Sequence, residues 1–245
     1  MKTKIFALIF LLIVKSTIAQ YTLSIQKSDG TDLEVSTSQI NKIVFYPACP
    51  GTPTVTYAGH TYNTVQIGTQ CWLKENLNVG TIVINSTNQT GNNIIEKYCY
   101  NDDSTNCSIY GGLYQWNEAM AYSSTEGARG ICPTGWHIPS KAEFQTLSTN
   151  VGDSGNALKA VGQGTGSGAG TNSSGFSALY TWFRVTDGGW SSSLNYLNVW
   201  SSTKATGFGS ANSSDIMYLL YDDDVIHNLS SMYNEFGLSV RCIKD

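Results

Sequence analysis

The sequence predicts an α+β fold of short strands, two main helices and long loops. Three observations predict it: short runs of alternating apolar residues, two segments with apolar residues at helical spacing, and 24 glycines spread along the chain. A chain of 245 residues is long enough to bury a core.

The first segment, residues 1–19, has the pattern of a secretory signal peptide. Lys2 and Lys4 precede an apolar run that ends at Val14, and Ala19 marks the expected cleavage site. The apolar run is about half as long as a bilayer requires, and no later segment comes close to that length. We therefore expect an exported chain without a membrane span, secreted or held at the cell surface, with the periplasm as the alternative location.

Residues 20–49 are predicted to form a small N-terminal β appendage. Alternating apolar residues flank the Asp29-Gly30 turn signal, which indicates a hairpin, and Ile43 to Tyr46 suggests a third short strand. The segment is too small to bury its own core. The proline-rich stretch at 47–53 marks a boundary, so that residues 50–245 form the main domain.

The main domain combines strand signals with two helix signals. A hairpin is expected to turn near Gly59, residues 176–190 are interpreted as strands, and the glycine-rich segment 161–175 as a flexible loop. One helix is predicted within residues 112–122 from the apolar spacing. The other is predicted to begin after Ser140, because Ser140 and Glu143 have the spacing of a capping box.

Six cysteines in an exported chain indicate disulfides. Their spacing does not choose among the pairings that six cysteines allow. We expect the pairs Cys49–Cys71, Cys99–Cys107 and Cys132–Cys242.

The charge pattern excludes one class of partner. The formal net charge is −4, only 13% of the residues are charged, and no basic stripe is present, so nucleic acid is not an expected partner. The abundance of Gly, Ser, Thr, Asn, Tyr and Trp suits the recognition of polar, uncharged ligands such as glycans.

Five ordered blocks resemble the Fibrobacter succinogenes major paralogous domain. They are "TQCWLKENLNVGT", "CYNDDSTNCSIYGGLYQWNEAM", "GICPTGWHIPSKAEFQTL", "VWSST" and "GLSVRCIKD", and together they span roughly residues 50 to 245. The family occurs in exported bacterial proteins and is mostly uncharacterised. It is distantly similar to C-type-lectin-like and formylglycine-generating-enzyme-like folds, so the resemblance implies a C-type-lectin-like mixed fold.

In the lectin-like fold a cysteine near a helix pairs with one on the last strand, and Cys132 and Cys242 occupy those places. The resemblance also has limits. The chain lacks the Glu-Pro-Asn or Gln-Pro-Asp tripeptide and the Trp-Asn-Asp of calcium-dependent sugar binding. A reactive cysteine pair is not expected either, because every cysteine has a structural partner in the pairing above.

The best candidate for ligand binding is an aromatic- and amide-rich stretch that corresponds to the long loop of lectin-like domains. Sugar rings offer apolar faces to aromatic side chains and hydroxyls to amides. The alternative is that the tryptophans pack this loop against the core. The candidate residues are Trp182, Asp187, Trp190, Asn195, Tyr196 and Asn198.

The other tryptophans and the charged clusters have structural interpretations. Trp72, Trp116, Trp136 and Trp200 are predicted to be core residues. Asp222 and Asp224 could bind Ca²⁺, because adjacent carboxylates repel and a hard cation would relieve this, but a solvated turn is the alternative. No other cofactor is expected. His137 is expected to be a packed histidine bonded to the backbone.

These observations favour an exported, non-catalytic binding or adhesion module of the bacterial cell surface. The first expected partner is polysaccharide, bound through the aromatic loop, and a surface protein is the second. The alternative function is a structural or assembly protein that docks through its N-terminal β segment by edge pairing. An enzyme of unknown reaction ranks third, since no motif for nucleophilic catalysis is present.

Overall fold

The computed structural model describes residues 22–26, 32–40, 43–192, 194–206 and 211–245. The chain divides into two compact units, Met1–Phe45 and Tyr46–Asp245. The predicted signal peptide at residues 1–19 lies outside the described residues, and so does the predicted Asp29-Gly30 turn.

The N-terminal unit contains an antiparallel pair of strands, β1 (Thr22–Gln26) and β2 (Asp32–Ser36). This pairing confirms the predicted hairpin strands. The predicted third strand from Ile43 to Tyr46 is wrong, because residues 43–49 form no strand. Alternating apolar residues become a strand only where a second edge accepts their backbone hydrogen bonds.

The main unit is built from short strands, most of them antiparallel. In chain order they are β3 (Thr54–Tyr57), β4 (His60–Ile67), β5 (Gln70–Leu73), β6 (Thr81–Ile82), β7 (Glu96–Lys97), β8 (Leu113–Tyr114), β9 (Trp136–His137), β10 (Tyr196–Lys204), β11 (Ser213–Leu220), β12 (Ile226–Tyr233), β13 (Leu238–Ser239) and β14 (Ile243–Lys244). One five-stranded sheet has the order β12-β11-β10-β13-β8, and a second has the order β3-β4-β5-β14-β9. The predicted hairpin that turns near Gly59 is confirmed as β3 and β4.

Four short helices accompany the sheets: α1 (Ser104–Tyr110), α2 (Trp116–Ala119), α3 (Lys141–Asn150) and α4 (Gly155–Leu158). The α+β prediction is confirmed, but the expectation of two main helices was too simple. None of the described helices has the length and apolar character needed to cross a membrane.

The helix predicted within residues 112–122 is only one turn long. Its first residues instead form β8, which pairs with β13. Ala121 and Tyr122 have φ values of 47° and 61°, which a right-handed helix cannot continue. Helical spacing of apolar residues therefore predicted the buried face but overestimated the length of the helix.

The capping box at the start of α3 is confirmed. The Ser140 hydroxyl accepts the backbone N–H of Glu143, and the Glu143 carboxylate accepts the backbone N–H of Ser140 at 2.7 Å. Phe144 and Leu147 on this helix are buried against the core.

The core consists of two clusters on opposite sides of β10 and β11. Val199 and Met217 point towards one cluster, while their neighbours Trp200 and Ile216 point towards the other. The alternation of side chains along a strand explains how one sheet serves both clusters. The four tryptophans predicted to be core are at most 3% exposed, which confirms them: Trp72, Trp116, Trp136 and Trp200.

The family motif "GICPTGWHIP" is explained by packing. The φ of Gly130 is 53°, and a Cβ atom at this position would lie 2.2 Å from the carbonyl oxygen of Ala119. Cys132 is bonded to Cys242, and Trp136 lies in β9 beside the last strand, β14. The motif thus brings a disulfide, a glycine and a core tryptophan to one place.

All three expected disulfides are present: Cys49–Cys71, Cys99–Cys107 and Cys132–Cys242. No described cysteine is free. The bridge between Cys132 and Cys242 joins residues 110 apart in the sequence, whereas Cys99 and Cys107 are 8 apart.

We expect the long bridge to contribute the most stability. Chain entropy predicts a loss of about 5 kcal/mol for the paired Cys132→Ala and Cys242→Ala change, and about 2.5 kcal/mol for the matched change at Cys99 and Cys107. Denaturant unfolding of both double variants measures these losses. A larger loss from opening the short loop would contradict this ranking.

Candidate ligand-binding groove

An open groove of about 780 Å³ lies on the five-stranded sheet that contains β10, β11 and β12. Its walls are formed by these three strands and by the loop that precedes β10. Aromatic side chains supply much of the lining, namely Phe183, Trp190, Tyr196 and Tyr218. Asn198 and several serines supply the polar groups.

Strand register brings the groove residues together. Tyr196 and Asn198 are two residues apart on β10, so both side chains point to the same face. On β11, Tyr218 is directly opposite Asn198. The ring of Tyr218 stacks on His227 of β12, with ring centroids 4.3 Å apart and planes within 6°. The aromatic floor is therefore supported from a third strand.

Three of the six predicted ligand-binding residues line this groove: Trp190, Tyr196 and Asn198. Tyr196 is exposed, while Trp190 is half-buried. Asn198 is only 6% exposed, so it offers little more than an edge to a ligand. These three predicted residues therefore lie in one groove.

The other three predicted residues lie elsewhere. Trp182 stacks on Tyr100 with ring centroids 3.8 Å apart, and it does not line the groove. Asp187 is exposed and its carboxylate accepts the backbone N–H of Gly189 at 2.8 Å, which shapes a turn. Asn195 is half-buried immediately before β10.

Two aromatic groove residues, Phe183 and Tyr218, were not predicted. Tyr218 alternates with Ile216 and Leu220 along β11, so the strand pattern indicated that the three share a face. It did not indicate that this face is the one carrying Tyr196, because the pairing of β10 with β11 is a tertiary property. Phe183 has no sequence signal that separates it from a core residue.

The loop beside the groove is held by the buried side chain of Arg184. Its guanidinium donates to the carbonyl oxygens of Asn85 at 2.6 Å and Glu235 at 3.1 Å, and to the side chain of Asn88 at 2.9 Å. It also lies 4.7 Å from the ring centroid of Tyr98. These contacts fix the position of the wall that carries Phe183 and Trp190.

The prediction of strands at residues 176–190 is wrong. This segment forms only isolated bridges, such as the one between Arg184 and Trp190. Side-chain bonds from Arg184 satisfy the carbonyls of neighbouring loops, so the segment is ordered without a regular ladder.

The groove is electrically neutral. None of the described lining residues is an Asp, Glu, His, Lys or Arg.

Two carboxylates of the main unit, Glu118 and Glu143, are engaged away from the groove. Glu143 belongs to the capping box. Glu118 is 2% exposed, its Oε1 atom accepts the backbone N–H of Glu96 at 2.8 Å, and burial raises its pKa. Neither residue lines the groove.

The predicted calcium ligands have protein partners. One oxygen of Asp224 accepts the Ser154 hydroxyl at 2.8 Å and the backbone N–H of Asn156 at 2.6 Å, at the start of α4. Burial lowers the pKa of the Lys159 amine, while the charges of Asp223, Asp224 and Asp222 act in the opposite direction. Within the part of the chain that the structure describes, no group of three or more His, Cys, Asp or Glu residues could hold a metal ion.

The chain belongs to the Fibrobacter succinogenes major domain family. The model of that family matches residues 65–244, which include the groove, the whole β12-β11-β10-β13-β8 sheet, and the other large sheet except β3 and the first residues of β4. No match was found among curated proteins, and none among solved structures.

The expectation that His137 bonds to the backbone is wrong. Its two ring nitrogens contact carboxylates, Glu143 at 2.9 Å and Asp245 at 2.7 Å. The hydrogen bond with Glu143 raises the pKa of His137 above its ordinary value, and the bond with Asp245 adds to this against the effect of burial. Burial would raise the pKa of Glu143, but its bonds with His137 and Ser140 lower it.

We expect the ion pair between His137 and Glu143 to stabilise the fold most in mildly acidic solution. The histidine contribution is complete below the unfolded pKa of about 6.5 and is lost as the pH rises through the higher folded pKa. The Glu143 contribution is lost as the pH falls through its lowered pKa. The stability difference between the parent protein and His137→Asn, measured by denaturant unfolding, should therefore shrink from pH 6 to pH 8. A difference that grows over this interval would contradict the assignment.

Proposed function

We propose that this protein is an exported, non-catalytic binding or adhesion module that recognises polysaccharide in the groove formed by Phe183, Trp190, Tyr196 and Tyr218. The observation that carries the proposal is the convergence of aromatic rings from a fixed loop and two strands on one neutral groove. Its volume falls within the range of ordinary ligand sites.

The chemistry of the lining favours a sugar polymer over other ligands. Aromatic faces can stack on the C–H faces of sugar rings, while Asn198 and the serine hydroxyls can exchange hydrogen bonds with sugar hydroxyls. The absence of charged groups among the described lining residues argues against a phosphate or a strongly charged peptide at this place. The open shape suits a chain that continues beyond the groove.

The disulfides support a role outside the cytoplasm. Three bridges in one chain indicate an oxidising compartment. The predicted signal peptide leads to the same location, either secreted or at the cell surface. A C-type-lectin-like relation remains a hypothesis that agrees with the bond from Cys132 to the last strand. Binding through Asp222 and Asp224 with Ca²⁺ has no part in this proposal.

We expect Trp190→Ala and Tyr196→Ala to weaken glycan binding by tenfold or more, because each removes a stacking face worth about 1.5 to 3 kcal/mol. A glycan array identifies the ligand, and calorimetry with the best binder measures the change. Tyr233→Ala is a matched control, since Tyr233 is 56% exposed and does not line the groove. Equal binding by the parent and both groove variants would remove the proposal.

The second candidate function is assembly through the N-terminal unit. Among the described residues, β1 and β2 pair only with each other, so both have an unpaired edge. Ile25 and Leu33 are each 47% exposed, and Phe45 is 91% exposed. Such edges add strands from partner chains.

If assembly is the function, the chain should associate in a concentration-dependent way and lose this behaviour when residues 20–47 are removed. Sedimentation velocity of both forms over a range of concentrations measures this. A monomer at all concentrations, with no binding to candidate surface proteins, would exclude the second function without affecting the first.

A further inference from the structure

A second cleft, of about 350 Å³, is lined by residues of very different chemistry from the groove. Lys74, Asn76, Tyr110 and Arg241 all contribute to its lining. One buried cation, Arg241, and one half-buried cation, Lys74, border this cleft. It is not used by the function proposed above.

Arg241 is a buried cation without an anionic partner. It is 1% exposed, and it donates to the side-chain oxygen of Asn76 at 2.9 Å and to the carbonyl oxygen of Phe176 at 2.6 Å. Both acceptors are neutral, and no ion pair to Arg241 occurs among the described residues. Burial lowers its pKa to about 10. Its Nε also donates to Asn76 at 3.1 Å, so three of the five N–H groups of the guanidinium are engaged and two are left for an anion.

The other charges at the cleft leave an excess of positive charge. The amine of Lys74 lies 5.5 Å from the ring centroid of Tyr46 and has no carboxylate partner within ion-pair distance in the described part of the chain. Glu75 also lines the cleft, but its two oxygens already accept the backbone and side-chain N–H groups of Asn63 at 2.8 Å. Two cations thus face one engaged carboxylate, in a chain whose formal net charge is −4.

Four aromatic rings connect this cleft with the groove. Tyr110 lines the cleft and meets the edge of Trp182, with centroids 5.8 Å apart. Trp182 stacks on Tyr100. The ring centroid of Tyr100 lies 5.3 Å from that of Trp190, and Trp190 lines the groove. All four rings are half-buried, so each retains some exposed surface. We call Tyr110, Trp182, Tyr100 and Trp190 the aromatic series.

We infer that the cleft binds a carboxylate of the same ligand, so that the polysaccharide taken by the groove carries uronic acid units. This inference rests on the proposed function. The sugar chain lies along the aromatic series, with neutral units in the groove and an acidic unit in the cleft. Arg241 and Lys74 hold the carboxylate, since a charge-assisted hydrogen bond is strong and the site offers two cations. The role of Trp182 is then to support the middle of the sugar chain.

The experiment compares acidic oligosaccharides with their methyl esters. Oligomers of galacturonate, guluronate and glucuronate are each titrated by calorimetry as the free acid and as the ester, which removes the charge and keeps the sugar. We expect at least one acid to bind roughly tenfold more tightly than its ester, the size of one charge-assisted bond. In Lys74→Gln this preference should fall to about threefold or less, because only Arg241 then remains to hold the carboxylate.

Lys204→Gln is the matched control. Lys204 also lies 5.5 Å from an aromatic ring centroid, that of Trp116, but it does not line the cleft. Lys204→Gln removes the same charge from the protein as Lys74→Gln, so a general electrostatic effect would appear in both variants. Arg241→Lys serves as a second variant, with thermal unfolding to establish that it folds.

The outcomes separate the two proposals. Equal binding of acids and esters by the parent protein, or an equal loss of preference in Lys74→Gln and Lys204→Gln, would overturn the carboxylate site. If Trp190→Ala weakens acid and ester alike while Lys74→Gln affects only the acid, both proposals stand. If Trp190→Ala has no effect but Lys74→Gln still reduces the preference for acid, the groove proposal and the shared ligand are overturned, and only a carboxylate site in the cleft remains.

Discussion

The segment from Leu238 to Lys244 joins the two large sheets, and the disulfide at Cys242 holds it in place. Its first part, β13, lies between β10 and β8, while its last part, β14, lies between β5 and β9. Leu238, Val240 and Cys242 are completely buried. Because one short segment supplies strands to both sheets, a covalent link from its centre to Cys132 limits the relative movement of the two sheets. The cleft depends on this arrangement because Arg241 lies in the same segment. The groove depends on it because β13 pairs with β10.

Buried cations order the loops that the sheets leave irregular. Arg184 binds the carbonyls of Asn85 and Glu235, and the amine of Lys159 donates to the carbonyl of Gly168 at 3.0 Å. Burying a charge is costly unless polar partners replace water. Here the partners are backbone carbonyls, which themselves need donors when they are buried. One cation therefore satisfies several carbonyls, and a glycine-rich chain acquires a defined loop structure.

The two candidate sites differ in a way that suits one extended ligand. The groove is neutral and aromatic, whereas the cleft has excess positive charge and a buried guanidinium. Stacking gives affinity for sugar rings with little regard to their substituents, while Arg241 and Lys74 would select among sugars by charge. Affinity would then come from β10, β11 and the loop that precedes β10. Selectivity would come from Arg241, shortly before β14, and from Lys74, directly after β5.

Local features of the sequence determined the parts of the structure that depend on neighbouring residues. The spacing of Ser140 and Glu143 predicted the start of α3, and the turn signal at Gly59 predicted the β3–β4 hairpin. These two predictions succeeded because capping and turns are decided within a few residues. The bond between Cys132 and Cys242, 110 residues apart, was indicated by the family resemblance and not by a local pattern.

Only the tertiary structure decided which aromatic residues share a groove. Tyr196 and Tyr218 meet because β10 pairs with β11 in one register, and a shift of one residue would place them on opposite faces. Trp182 was grouped with Trp190 by sequence proximity, yet it stacks on Tyr100, more than eighty residues earlier in the chain. Arg241 and Asn76 are 165 residues apart. Contacts at such separations depend on the packing of the whole domain, which no local pattern in the sequence encodes.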